Sequence, residues 1–257
     1  MVEDVVPEAL GQRGAPVRFE WGPTGAAAVS DPEGCLVVVD VLSFTTAVSV
    51  VTGRGTAVYP YAMGDSGAQS FAAARGAELA VRRREATSER PWSLSPASLA
   101  RAPLVPRLVL PSPNGSAIAA AAAGTVVAGC LRNASAVAAW LLEHGYGVAG
   151  RPVAVVAAGE RWPDGSLRPA LEDGLGAGAV LRRLRAAGLS LSAEAAVAAG
   201  TLDRTSEVAA AIRGCATALE LASVGFPDDV ELALGRDVDD HVPVLDGEAF
   251  RAEPARR

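Results

Sequence analysis

Short apolar runs alternate along the chain with alanine-rich stretches of helical spacing. The clearest run is Leu-Val-Val-Val at 36–39, which is followed at once by Asp40. A strand with both faces covered has this pattern. Similar runs predict strands over 17–20, 56–61, 78–81, 107–110, 125–128 and 153–158, with an edge strand over 242–245. Helices are predicted to begin at 47–51 and to cover 64–76, 116–123, 134–142, 169–184, 192–199, 204–212 and 216–224. Asn133 supplies an N-cap for the helix at 134, and Pro169 opens the longest helix. The alternation predicts an α/β protein with a mainly parallel or mixed sheet, organised as a single domain over 1–257. Between 82 and 106 the pattern weakens. Three consecutive arginines, then Pro91, Pro96 and Pro103, predict a surface loop or insertion there.

Composition narrows the function. Half of the residues are hydrophobic but only 5% are aromatic, so the core is built from Ala, Val and Leu. A net charge of −6 argues against nucleic acid or an anionic membrane as partner. No apolar stretch is long enough to span a bilayer, and no basic-then-apolar leader is evident at the N-terminus. Cys35, Cys130 and Cys215 are widely spaced and odd in number, which fits buried, reduced thiols. The expectation is a cytoplasmic protein. All 23 basic residues are arginine, which excludes a Walker-A lysine, a Schiff-base lysine and a phosphotransferase lysine. His144 and His241 are the only histidines. Neither accompanies a G-x-S-x-G turn, and no His/Cys cluster has zinc spacing. The strand ending in Asp40 has Leu42 where haloacid dehalogenase phosphatases carry their second Asp, so that family is rejected.

Four strand-to-helix junctions carry polar residues in the same relative place. They are Asp40 with Thr45 and Thr46, Asn114 with Gly115 and Ser116, Arg132 with Asn133, and Glu160 with Arg161. In a parallel sheet all four share one edge, where ligands bind. Hydroxyls, amides, guanidinium groups and helix N-termini suit a phosphate or another oxyanion. Carboxylates beside them suit Mg²⁺. Each junction taken alone also reads as a helix cap. Glu172 and Asp173 have two readings as well: acidic residues favoured by the helix dipole, or metal ligands. Gly174, Gly176 and Gly178 lie inside a helical run, where close packing explains them better than a dinucleotide fingerprint does.

Five pieces occur in a fixed order: Val38-Val39-Asp40-Val41-Leu42 with Thr45-Thr46, Ser112-Pro113-Asn114-Gly115-Ser116, Asn133-Ala134-Ser135-Ala136-Val137, Ala158-Gly159-Glu160, and Leu171-Glu172-Asp173 with Gly176-Ala177-Gly178. Together they resemble the 2-phosphosulfolactate phosphatase (ComB) family over residues 35–245. The resemblance implies a three-layer α/β/α fold and a Mg²⁺-dependent acid phosphatase. It also implies conversion of 2-phospho-3-sulfolactate to 3-sulfolactate and phosphate, a step of coenzyme M synthesis in methanogens. Ser43 departs from the family, which usually has arginine after Asp-Val-Leu, and the family's Gly-Glu-Arg segment is not preserved around 82–89.

The expected roles follow. Asp40 is a metal ligand or catalytic carboxylate, and Glu160, Glu172 and Asp173 complete the metal site or activate water. Thr45, Thr46, Asn114, Gly115, Ser116 and Asn133 hold phosphate oxygens, and Arg132 and Arg161 neutralise developing charge. The expected partners are a small phosphorylated acid and, in a homodimer, a second copy of the chain. Two alternatives stand beside this reading. One is a protein that binds a phosphorylated or sulfonated metabolite without turnover, motivated by Ser43. The other is a nucleotide-binding oxidoreductase, based on the glycines at 174–178.

Overall fold

The structure is a computed structural model and describes residues 9–62, 67–122, 124–205 and 207–255. The first half of the chain forms β1 (Val17–Trp21), α1 (Gly22–Val29), β2 (Cys35–Val39), α2 (Phe44–Thr52), β3 (Ala57–Ala62), α3 (Ala68–Arg75) and β4 (Glu78–Leu79). It continues through α4 (Pro96–Arg101), β5 (Arg107–Ser112), α5 (Gly115–Ala121), β6 (Thr125–Gly129) and α6 (Ala134–Glu143). The second half adds β7 (Val153–Ala157), a small hairpin of β8 (Glu160–Arg161) and β9 (Leu167–Arg168), and α7 (Leu171–Ala186). Four more helices follow: α8 (Ala193–Arg204), α9 (Val208–Arg213), α10 (Ala216–Ser223) and α11 (Pro227–Ala233). A hairpin of β10 (His241–Asp246) and β11 (Ala249–Pro254) ends the described chain.

The apolar runs divide between two layers. All five residues of β2 are buried. Val37 and Val39 point into one core with α6, α7 and α8, while Leu36 and Val38 point into another with α1, α2 and α5. The same alternation splits β7: Val153, Val155 and Ala157 go to the first core, Ala154 and Val156 to the second. The period-2 geometry of a strand makes an uninterrupted apolar run serve both faces. The result is the expected three-layer α/β/α arrangement.

Among the described residues, nine strands form one sheet in the order β1-β7-β2-β6-β10-β11-β3-β5-β4. β1, β7, β2 and β6 are mutually parallel, and so are β3, β5 and β4. The β10–β11 hairpin joins the two blocks through antiparallel contacts, so the blocks run in opposite senses. The joints are narrow, with single pairs at Val127↔Val244 and Val58↔Phe250. Val58, Leu108 and Leu110 of the second block nevertheless share a core with Leu36 and Val38 of the first. The sheet therefore curls around α2 and α5.

That curl corrects the expectation of one parallel edge. The junctions after β2, β6 and β7 share an edge, whereas β5 runs the other way and its following loop arrives because the sheet bends. The strand predicted at an edge over 242–245 lies inside the sheet, with β6 on one side and β11 on the other. The predicted surface loop over 82–106 contains α4, capped by Ser95, whose hydroxyl accepts from Ser98 N. Leu99 of α4 is fully buried, so this part of the segment packs into the core. Helix α1 was hidden by its Gly-Pro start, and β11 by its charged residues. Positions 64–66, 123 and 206 of the predicted helices lie outside the described residues.

Gly174, Gly176 and Gly178 are packing positions within α7. A Cβ at 176 would stand 2.6 Å from a Val41 methyl, and one at 178 would stand 2.6 Å from the carbonyl oxygen of Ala198 in α8. Gly178→Ala is expected to cost about 1–3 kcal/mol despite the better helix propensity of alanine, because the backbone of α8 must retreat. Gly200→Ala, in open space on α8, is expected to gain up to about 1 kcal/mol. Urea denaturation of the two variants checks both signs.

Candidate functional site

Asp40 leaves β2 and turns into the start of α2. Its Oδ1 accepts from the amide of Phe44 (3.1 Å) and its Oδ2 from the amide of Gly115 (2.8 Å), so one carboxylate holds the first turns of α2 and α5. Thr45 closes the same turn: its Oγ1 accepts from Asp40 N (3.0 Å) and donates to Asp40 O (2.8 Å). Thr46 Oγ1 donates to Val41 O (2.8 Å). Both threonines are buried with their hydroxyls on their own backbone.

Asp173, in the first turn of α7, makes a second clip. Its Oδ1 accepts from Val41 N (2.7 Å) and its Oδ2 from Gly159 N (2.9 Å), joining the ends of β2 and β7. Glu172 is buried beside it. Glu160 opens β8 and its Oε2 accepts from the side-chain Nδ2 of Asn114 (3.0 Å). Gly115 must be glycine here, since a Cβ would stand 2.7 Å from Asp40 Oδ2. The loops after β2, β5 and β7 and the start of α7 thus meet around Asp40, Glu160, Glu172 and Asp173.

These carboxylates repel one another in a buried place. Burial raises the pKa of Asp40. Amides of Phe44 and Gly115 oppose the rise, Glu172 adds to it, and the positive charge of Arg83 lowers it. Asp173 is raised well above the usual carboxylate range by burial and then by Asp40 and Glu172, against the amides of Val41 and Gly159. Glu160 is pushed up to about 7, first by burial and then by Asp40, against the Asn114 hydrogen bond; Glu172 raises it further and Arg168 opposes. Such a patch favours protons or a cation.

Other predicted residues are placed differently. Ser116 Oγ donates to Tyr61 O (2.6 Å) and Ser112 O (2.8 Å). Asn133 is buried, accepts from Cys130 N (2.9 Å) and donates to Ala128 O (3.1 Å). Arg132 pairs with Asp239 (2.8 Å) and donates to Leu232 O (3.0 Å). Arg161 is exposed on the β8–β9 hairpin, bonded to Gly165 O (3.1 Å). The structure brings Asp40, Asn114, Gly115, Glu160, Glu172 and Asp173 together. It gives Thr45, Thr46, Ser116 and Asn133 to the turns around them, and directs Arg132 and Arg161 elsewhere.

Sequence reasoning missed the cations that do act on the cluster. Arg83 donates through Nε to Asp229 (3.1 Å) and through Nη2 to the hydroxyl of Ser43, the position where the resembled family usually has arginine. Arg168 reaches Thr217 (3.3 Å) as well as acting on Glu160. The three-arginine run at 82–84 was visible, but nothing in it distinguished Arg83 from its neighbours. Among the described residues, no three His, Cys, Asp or Glu side chains are disposed around one point as metal ligands.

None of the curated proteins matches the chain. A family model described as 2-phosphosulpholactate phosphatase matches residues 24–248, a span that includes every acidic residue of the cluster together with Arg83 and Asp229. On that match the chain belongs to the 2-phosphosulpholactate phosphatase family, a family of phosphoric monoester hydrolases.

Proposed function

We propose that the chain is a cytoplasmic, Mg²⁺-dependent phosphomonoesterase that converts 2-phospho-3-sulfolactate, or a related small phosphorylated acid, to the hydroxy acid and phosphate. The observation that carries this reading is the convergence of four carboxylates, Asp40, Glu160, Glu172 and Asp173, from three separated segments at the ends of β2 and β7, where burial and neighbouring charge raise the proton affinities of Asp40, Glu160 and Asp173. The named substrate and its place in coenzyme M synthesis rest on the family.

The donor set fits Mg²⁺. It is made of carboxylate oxygens, the hard ligands this ion prefers, and Mg²⁺ is commonly held by one or two carboxylates with several waters. One or two of Asp40, Glu172 and Asp173 would hold it, with waters completing the shell, since among the described residues no three such side chains surround one point. The amides on Asp40 and Asp173 occupy one lone pair of each oxygen and leave the other. When bound, Mg²⁺ supplies a Lewis acid for a phosphoryl oxygen and lowers the pKa of water. Glu160 is the proton donor: with Asn114 fixing Oε2, a proton on Oε1 is placed to pass to the leaving alkoxide. Asn114 orients that carboxyl, and Gly115 permits the close approach of Asp40.

The test is turnover of a panel of phosphomonoesters with and without Mg²⁺. Asp40→Asn is expected to lower kcat by about 10²-fold or more in protein that still melts cooperatively; full Mg²⁺-dependent turnover would refute the assignment of Asp40. Hydrolysis of any ester at an enzymatic rate also removes the binding-only alternative, which Ser43 motivates. Glu160→Gln is expected to lower kcat by about 10²-fold and to abolish the fall in kcat that the wild type shows as pH rises through the Glu160 pKa. A pH profile with an unchanged basic limb in the variant counts against Glu160 as the acid.

The same carboxylates set a pH dependence of stability. Asp40, Glu160 and Asp173 bind protons more tightly in the folded chain than in the unfolded one. Above their unfolded pKa values the folded state retains protons that the unfolded chain has released, so their effect on stability becomes less favourable as pH rises, for Glu160 up to about 7. Without metal, the melting temperature is therefore expected to be higher near about pH 5 than near about pH 8, and added Mg²⁺ to raise it more at the higher pH. Calorimetric melts that show the same Mg²⁺ increment at both pH values overturn this link between the cluster and the metal.

A further inference from the structure

Arg83 stands between the acidic cluster and a separate cavity. Its guanidinium is anchored at two places: Nε donates to Asp229 Oδ2 (3.1 Å) and Nη2 to Ser43 Oγ. Asp229 is only 1% exposed, and its other oxygen accepts from Ser95 Oγ (2.5 Å) and Ala97 N (3.1 Å). The carboxylate therefore cannot swing, and it holds the plane of the guanidinium. The Phe226 ring lies 5.8 Å from Arg83 Cζ. Nη1 of Arg83 has no hydrogen-bond partner among the described residues.

Ser43 follows Asp40 by three residues, and Arg83's charge is felt at Asp40. Away from Asp40, Arg83 lines a cavity of about 840 Å³ together with Arg82, Arg84 and Arg90; the acidic residues on that lining are Glu85 and Glu220. Four arginines against two carboxylates make the cavity cationic, and apolar walls such as Leu79 and Leu221 strengthen that field. A guanidinium has five N–H donors in a rigid fork, so one held by Asp229 and Ser43 still has donors for another anion.

We infer that Arg83 is a specificity-determining residue of this site: it holds the anionic group at the non-reacting end of the substrate, with the arginine-lined cavity receiving that end and Asp40 facing the phosphoryl group. The inference rests on the phosphomonoesterase reading for its orientation. It separates esters of hydroxy acids from esters of plain alcohols, because an alcohol ester leaves the Nη1 donors without a charged partner.

Two phosphonates that cannot be hydrolysed test this without turnover: 3-phosphonopropionate, which carries a carboxylate, and propylphosphonate, which does not. Calorimetric titration in the presence of Mg²⁺ is expected to show the wild type binding the carboxylated compound about 10- to 100-fold more tightly. Arg83→Gln is expected to reduce that preference to within about threefold, read as the ratio of the two affinities in the same variant, so that any effect of the lost charge common to both compounds cancels. Arg83→Lys keeps the charge beside Asp229 but loses the fork, and is expected to retain part of the preference. Should Arg83→Gln fail to melt cooperatively, Arg83→Lys carries the test, with a loss of at least about threefold in the preference expected. A wild type with no preference, or with no binding of either compound, overturns the inference, and so does a folded Arg83→Gln or Arg83→Lys that keeps the full preference. Failure of the phosphomonoesterase reading looks different: no ester is turned over, while the binding preference and its loss in the variants remain.

Discussion

Buried carboxylates that accept backbone amides hold the candidate site of this protein together. Asp40 and Asp173 each take two amides, one nearer along the chain and one from a distant loop, with 132 residues separating Asp173 from Val41 and 75 separating Asp40 from Gly115. An unpaired amide at the end of a buried strand is costly, and so is an unpaired buried carboxylate. Each satisfies the other here. The consequence reaches beyond stability, because the same bonds bring the ends of β2, β7 and α7 and the start of α5 to one place. Turn hydroxyls of Thr45 and Thr46 then fix the Asp40 loop, so that it offers its carboxylate in a set direction.

Satisfaction by amides is only partial neutralisation. Asp40 and Asp173 remain raised in pKa, and Glu160 is raised with them, because the amide dipoles do not offset burial and the neighbouring negative charges. A site left in this state is electrostatically incomplete in the folded chain. It is completed by protons or by a cation, and the choice between them varies with pH. Geometry and titration therefore belong to one arrangement: the bonds that align the loops also concentrate negative charge at one place.

Much of the frame was legible in the chain. The run at 36–39 and its counterparts at 125–128 and 153–158 are the central parallel strands, since uninterrupted β-branched residues suit a strand buried on both sides. Asp40, Asn114, Glu160, Glu172 and Asp173 were legible as a set because each sits just past a strand or at a helix start. Their neighbours were harder to read. A hydroxyl or amide in such a turn looks the same whether it faces a ligand or its own backbone, and only burial separates the cases. Thr45, Ser116 and Asn133 turned inward. Arg132 was taken by Asp239, 107 residues away, a pairing that no local pattern contains. The curl of the sheet was hidden for the same reason, as it depends on the single-pair joints made by the β10–β11 hairpin.

The all-arginine composition acquires structural meaning around Asp229. A lysine at 83 would offer one compact charge to either Asp229 or Ser43, whereas the planar fork of arginine reaches both and still presents Nη1. Arg54 uses the same property, with Nη1 on Leu99 O and Nη2 on Ala102 O, and so ties the end of α4 to the turn after α2. Segment 82–106 is thus bound to the rest of the molecule by guanidinium forks and by the Asp229 carboxylate at the start of α11. Loss of a charge at Arg83 would leave Asp229 buried without its cation, but the bonds from Ser95 and Ala97 would still hold that carboxylate. The fold of the segment and the charge beside Asp40 therefore have partly separate supports, which is the condition under which the residue at 83 can change without the scaffold being lost.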